Sequence, residues 1–444
     1  MLVSHETSIE EISIEVYIQR VIDELDFGLF HYILFTVVGL SWAVDVAELF
    51  SSGLLIPILK IEFEIESNID ASYIASAPLL GMLVGSWLFG VLGDMIGRKK
   101  VLSSTCLGTF ICAIVCSLTT TYSQFLFNRV LLGIFLGGNL PVAFSLFLEF
   151  CPSSYRDRMT LYLTGWSIVG TLYASCLRFY LNDWRELIRG LAIPSGVLSL
   201  VLWSVPESPR FSIINGHGVG CVNSLQFIAR WNNKKIAQDE DRIIRNHQIV
   251  ETPHKNRVVP VFADPQTKYL VAIWSFSGLG FYGFQSWAPS AITASSDDSN
   301  ALYYILVGAS VFQLASLCFA PWSMRYLGYE NTLAVFLACD ALAVFWFGYV
   351  STFEGMFIAY SLFNFGTAGF FGVLYLVTTI RYPTEIRTTA FGICSSFNRV
   401  FGTFAATIVG LINVKINPSG GFLFVGIMFF CATIATMRLP RKHS

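Results

Sequence analysis

The sequence predicts an all-α polytopic membrane protein, with twelve transmembrane helices forming two six-helix bundles. Three observations carry that prediction. The composition is too apolar for a water-soluble body, the apolar residues come in blocks of bilayer length, and one register recurs in both halves of the chain.

Of the 444 residues, 54% are hydrophobic and 13% charged. A soluble domain carries roughly 25% charged residues. With 39 Phe and 10 Trp added, too little polar surface remains to cover a molecule in water. Mean hydropathy is +0.60. The formal net charge of -2 offers nothing to nucleic acid, and the lipid bilayer is the implied surrounding. Before the first apolar block the chain is acidic and lacks the basic start and apolar core of a signal peptide, so the first span is read as the targeting signal. The ten cysteines fall in apolar blocks or basic loops and read as free, small buried thiols rather than a disulfide framework. No Cys/His spacing suggests a metal, and neither a cofactor nor a catalytic constellation is indicated.

Apolar blocks of about 20 residues each suit roughly 30 Å of hydrocarbon. They fall at 29–58, 73–93, 101–120, 124–149, 159–181, 187–206, 269–293, 301–323, 332–351, 355–380, 388–413 and 420–438. The polar stretch 207–268 separates the sixth from the seventh. The expected organisation is a tail (1–28), an N-terminal bundle (29–206), a linker (207–268), a C-terminal bundle (269–438) and a second tail (439–444). Most of the 28 Lys and Arg fall on one side of this scheme: Arg98, Lys99 and Lys100, Arg156 and Arg158, the stretch from Arg210 to Lys268, Arg325, Arg381, Arg387 and the C-terminal basic residues. The other side keeps Lys60, Arg178, Arg185, Arg189 and Lys415. Basic loops stay inside, so both tails and the linker are predicted to be cytoplasmic.

The two halves read as copies. Pro152 and Arg156 recur as Pro383 and Arg387, Gly97 as Gly328 and Gly138 as Gly369, all at one constant separation. A parallel repeat of this kind puts a solute site between the halves near the bilayer midplane.

The first inner loop reads Gly90-Val-Leu-Gly-Asp94-Met-Ile-Gly97-Arg98-Lys99-Lys100. Its glycines permit close helix approach, and Asp94 can accept from a helix N-terminus or a basic side chain. Further on come Arg129-Val-Leu-Leu-Gly133, Glu149-Phe-Cys-Pro152-Ser-Ser-Tyr-Arg156 and Pro206-Glu207-Ser208-Pro209-Arg210. Asp45-Val-Ala-Glu48 lies inside the first span, and Tyr382-Pro383-Thr384-Glu385-Ile386-Arg387 follows the tenth. From Phe27 onward the chain resembles the sugar-porter group of the major facilitator superfamily, and within it the branch of synaptic vesicle glycoproteins and synaptic-vesicle-related transporters. That resemblance implies alternating access by rocking of the two halves. It also implies gating roles for Gly90, Asp94, Gly97, Arg98, Glu149, Arg156, Glu207, Arg210 and Arg387. Some positions depart from the pattern. Met95 replaces a basic residue, Arg325 stands at the repeat of Asp94, Tyr329 at that of Arg98, and Ile380 where the branch has a carboxylate. A strong ion-pair network is therefore expected in the N-half and a weak one in the C-half.

An ionisable residue at membrane depth needs a partner or a purpose, since insertion alone costs ~2.5–3.5 kcal/mol. Asp45 and Glu48 share one helix face. Two adjacent carboxylates in low dielectric do not ionise together readily, which suits proton carriage. Arg129 enters the fourth span at similar depth, and the resemblance makes Asp45 and Arg129 the candidate proton switch, with a fixed ion pair as the alternative. Arg399, deep in the eleventh span, either binds an anionic solute or balances Asp45 and Glu48. Asp340 reads as a peripheral structural contact. Trp166, Tyr282, Gln285, Trp287, Phe371 and Tyr375 occupy the helices expected to line the cavity, and aromatic walls with few polar groups suit an amphipathic organic solute. The reading is a monomeric secondary transporter of a small organic solute (an organic ion or a sugar-like molecule), with protons as the candidate coupling ion. A non-transporting sensor, receptor or vesicle component on the same fold is the alternative.

Overall fold

The structure, a computed structural model, describes residues 14–181, 183–236, 258–295, 301–382, 384–415 and 418–440. Six helices cover the first five spans, because the fifth is split: α2 (Leu29–Glu62), α3 (Asn68–Ile96), α4 (Arg98–Ser117), α5 (Tyr122–Phe150), then α6 (Arg156–Thr164) and α7 (Trp166–Tyr180). The sixth span is α8 (Trp184–Val201). The second half runs through α12 (Thr267–Ser295), α13 (Ala301–Leu327), α14 (Tyr329–Tyr349), α15 (Phe353–Arg381), α16 (Thr384–Lys415) and α17 (Pro418–Met437). Side-chain oxygens of Ser67, Thr121, Asp183 and Thr352 cap helix starts, taking up amide protons that a helix cannot satisfy itself.

Nine described helices are long and apolar enough to cross a membrane. The other three spans are α12, α16 and the split fifth, and all three face the space between the halves. The apolar block at 159–181 predicts one unbroken span, but the helix tightens at Gly165, whose amide donates to Tyr162 O at 3.1 Å. Small residues set the closest packing. α3 and α5 approach until a Cβ on Gly133 would strike the Pro78 carbonyl. Gly90, by contrast, has open space where a Cβ would stand, so it makes no such close approach.

Within the first half α3 packs on α5, α4 on α5 and α8, and α2 on α7; within the second α12 packs on α16 and α17, and α15 on α13 and α14. Four pairs join the halves: α2 with α12, α3 with α16, α7 with α13 and α6 with α15. Repeat partners Gly97 (φ 107°) and Gly328 (φ 81°) both adopt a left-handed backbone where they start α4 and α14. Glycine takes that conformation without a Cβ clash, so the repeat extends to backbone geometry.

The segments read as tail and linker are partly helical. α1 (Ile14–Leu25) buries Ile18, Val21, Ile22 and Leu25 against a small cluster that includes Phe150, Val205 and Ile213. That cluster is shared with α9 (Pro209–Ile214) and α10 (Gly218–Trp231). A short α11 (Val258–Ala263) precedes the second half.

Candidate functional site

A cavity of about 140 Å³ lies between the two halves. From the first half α2, α3, α5 and α7 line it; from the second, α12, α13, α15 and α16. Tyr282, Gln285, Phe371, Tyr375 and Arg399 all stand on its wall. Trp166 does not. Its indole is wedged against Gly39 of α2 and beside Phe35, at a ring distance of 6.1 Å, so it is a packing residue of the first half. Trp287 is likewise absent from the wall and donates to Ala406 O at 2.9 Å.

The wall is aromatic with a few fixed dipoles. Trp274 stacks on Tyr375 at 5.4 Å with rings inclined by 12°, and its indole N–H donates to Thr378 at 3.0 Å. Phe371 packs 6.0 Å from Tyr375. Gln313 Nε2 donates to Asn364 Oδ1 at 2.7 Å, Asn364 Nδ2 donates to Tyr360 O at 2.8 Å, and Asn398 Nδ2 to Trp274 O at 3.0 Å. Sequence reasoning missed Trp274, Gln313 and Asn364. The available signal was polarity in otherwise apolar helices, since a Gln and an Asn inside spans point to a cavity or a partner.

Beneath the first-half wall lies a compact charge cluster. Arg129 Nη1 and Glu48 Oε2 stand 3.4 Å apart with both side chains fully buried. The Arg129 guanidinium also lies 5.2 Å over the Phe125 ring. Arg129 thus meets Glu48 rather than Asp45. Asp45 Oδ1 instead accepts from Asn139 Nδ2 at 2.8 Å, and that amide also donates to Ser41 O at 3.2 Å. The sequence reading overlooked Asn139, one turn past the paired glycines of α5. One oxygen each of Asp45 and Glu48, and two nitrogens of Arg129, have no partner among the described residues. Spare acceptors beside a single bridge leave room to bind and release a proton.

At the end of the bundle near α1 a second network forms. Arg98 bridges Asp94 at 2.8 Å and Glu149 at 3.0 Å. Glu207 accepts from the Lys99 amide and the Ser208 amide, each at 3.0 Å. Arg156 and Arg210 both donate to the same Gln19 side-chain oxygen of α1. In the C-half, where a weak network is expected, the described residues hold one ion pair: Arg381 Nη2 meets Glu330 at 2.7 Å, and its Nη1 donates to Gln266 at 3.0 Å. Glu330 stands at the repeat of Lys99 and Arg381 at that of Phe150, so the pair has no counterpart of the same chemistry in the first half and comparing motifs by register missed it. The side chain of Arg387 lies outside the described residues.

Two six-span halves with an aromatic-walled cavity between them have the architecture of a polytopic carrier. The family model "Sugar (and other) transporter" matches residues 40–442, and the chain belongs to that family. It is 27% identical over 417 residues to the putative niacin/nicotinamide transporter NiaP of Bacillus subtilis, covering 93% of this chain and 96% of that protein. It is 25% identical over 454 residues to the synaptic vesicle 2-related protein of Bos taurus, covering 95% and 79%. Among solved structures, the partially occluded inward-open xylose transporter XylE from E. coli superposes with a TM-score of 0.73 at 16% identity, covering 90% of this chain and 95% of that one. The chain is therefore a multi-pass membrane protein of the major facilitator fold and a secondary transporter of a small organic solute.

Proposed function

We propose that this carrier moves a small aromatic carboxylate of the nicotinate kind together with protons. The single observation that carries the reading is Arg399, a cation 6% exposed, set in a cavity wall of Trp274, Tyr282 and Tyr375. A guanidinium offers a carboxylate paired charge-assisted bonds, while flat rings stack on a planar solute. Relatives named as niacin transporters support the same class of solute.

Coupling is assigned to the Glu48–Arg129 bridge and the adjacent Asp45. A proton arriving at Glu48 weakens its hold on Arg129 and frees α2 to shift against α5. The halves, divided at 207–268, then rock about the cavity, with Asp94, Arg98, Glu149, Arg156, Glu207 and Arg210 holding their inner ends together between cycles. Both tails lie in the cytoplasm on this reading, and one chain is the working unit. Uptake by vesicles carrying the purified protein decides the matter. Under an imposed acid-outside gradient nicotinate should accumulate, while xylose and nicotinamide should not. Accumulation of xylose alone, or of nicotinate without a proton gradient, would sink the proposal.

A further inference from the structure

Outside the cluster on α2 and α5, one more carboxylate is fully buried among the described residues: Asp340 of α14. The sequence reads it as a peripheral structural contact, and it does stand behind the cavity wall. No residue of α14 lines the cavity, yet Asp340 presses against α15 where that helix carries Gly366 and Thr367. Asp340 Oδ2 accepts from the Thr367 hydroxyl at 3.3 Å, and Oδ1 has no partner among the described residues. Thr367 itself stands on the cavity wall, beside Asn364.

Among the described residues no cation offsets this group. The charged residues of the helices packed around it are Arg325 on α13, Glu330 on its own helix, and Glu354 and Arg381 on α15, all at helix ends; α17 has none. The neighbouring ionisable side chain is the thiol of Cys339 on its own helix. A carboxylate ion in apolar packing, with hydrogen bonds from Thr367 alone and no counter-charge beside it, is expensive, and taking up a proton relieves that strain.

Thr367 converts the proton into a change of cavity chemistry. A threonine hydroxyl has one proton to give. While Asp340 is ionised that proton goes to Oδ2, so the cavity meets only lone pairs. With Asp340 protonated, its own O–H donates to the Thr367 oxygen and the threonine proton turns to the cavity. We propose that Asp340 is a second proton-binding group, a positioning residue that switches Thr367 from acceptor to donor towards an anionic solute. Deepening the aromatic-carboxylate reading, it rests on the solute's being an anion.

The test uses the full chain in lipid nanodiscs and two readouts. Without solute, an infrared pH titration should contain the carbonyl band of a protonated carboxylic acid that is lost in Asp340→Asn and retained in Asp45→Asn. With nicotinate as probe, affinity is compared at mildly acid and mildly alkaline pH, where its single negative charge is constant. Wild type should bind about tenfold tighter on the acid side, the scale of one gained hydrogen bond to a charged group. Asp340→Asn, whose amide always donates to Thr367, should bind tightly at both, and Thr367→Val weakly at both. An acid-to-alkaline ratio unchanged in Asp340→Asn would overturn the proposal, as would persistence of the infrared band. A purely structural role would lower the thermal midpoint of both variants while leaving that ratio intact, which also overturns it. If nicotinate fails to bind wild type at all, the anion reading falls and the infrared titration alone decides for or against Asp340 as a proton site.

Discussion

The two halves treat buried charge differently. In the first half Glu48 and Arg129 neutralise one another inside a single cluster, with Asp45 steadied by Asn139 alongside. In the second half Arg399 and Asp340 stand apart, one on the cavity wall and one behind it, and no ion pair joins them. A half that pairs its charges holds a fixed shape until something breaks the pair. On the proposed function, a half that leaves them separate offers one to a solute and the other to a proton. Repeat symmetry then supplies two similar frames, and the proposed roles divide between switching and binding.

The proposed division is broken most severely at Arg129. Arg129→Gln leaves Glu48 buried without its cation, and removing one partner of a buried pair costs about 3–5 kcal/mol. A large fall in thermal midpoint is expected, and the double variant with Glu48→Gln should recover much of it; equal loss in both would mean the pair is not what holds α2 to α5. Next in size is Arg399→Gln. Losing charge-assisted hydrogen bonds should weaken nicotinate by about 10- to 100-fold, with little change for neutral nicotinamide. Titration calorimetry with both ligands reads the difference, and parallel losses would make Arg399 structural. Asp45→Asn keeps the size of the side chain and its place beside Asn139 while removing a titratable group. Downhill exchange should persist and accumulation against a gradient should disappear; a variant that still accumulates solute removes Asp45 from the coupling. The inner network gives a smaller effect. Arg98→Gln and Arg381→Gln should each cost about 1–2 kcal/mol, since Asp94 is exposed and Glu149 and Glu330 are only partly buried, and comparing the two by thermal unfolding measures how far the second half has rebuilt its clasp. The smallest change belongs to Trp166→Phe, which should leave nicotinate affinity alone because the indole packs against Gly39 rather than the cavity.

Much of this architecture was legible because membrane physics acts on composition and length. Apolar blocks marked the spans, and Tyr282, Gln285, Phe371, Tyr375 and Arg399 were found by asking which helices face the midplane. What escaped depends on contacts that no pattern along the chain encodes. The sequence puts Arg129 at a depth similar to both carboxylates of α2, and only the helix rotation decides that Glu48 receives it. Glu330 and Arg381 come together from separate helices after the inherited motif had been lost, so register could not find them. Trp166 has the character of a binding residue, yet the shape of Gly39 claims it for packing. Asp340 looks unremarkable in the sequence because its importance lies in Thr367, one helix away.

The shared acceptor on α1 has a practical consequence. Gln19 offers a single oxygen to two guanidiniums, Arg156 from the start of α6 and Arg210 from the start of α9. The helix that carries it is held by Ile18, Val21, Ile22 and Leu25. A protein trimmed to begin at Asp26 would keep every span and lose this rivet. Two like charges would then face each other across a bare apolar patch, inviting aggregation during purification. Tags are better joined at the other terminus, a choice that size-exclusion profiles of the two fusions would vindicate or refute.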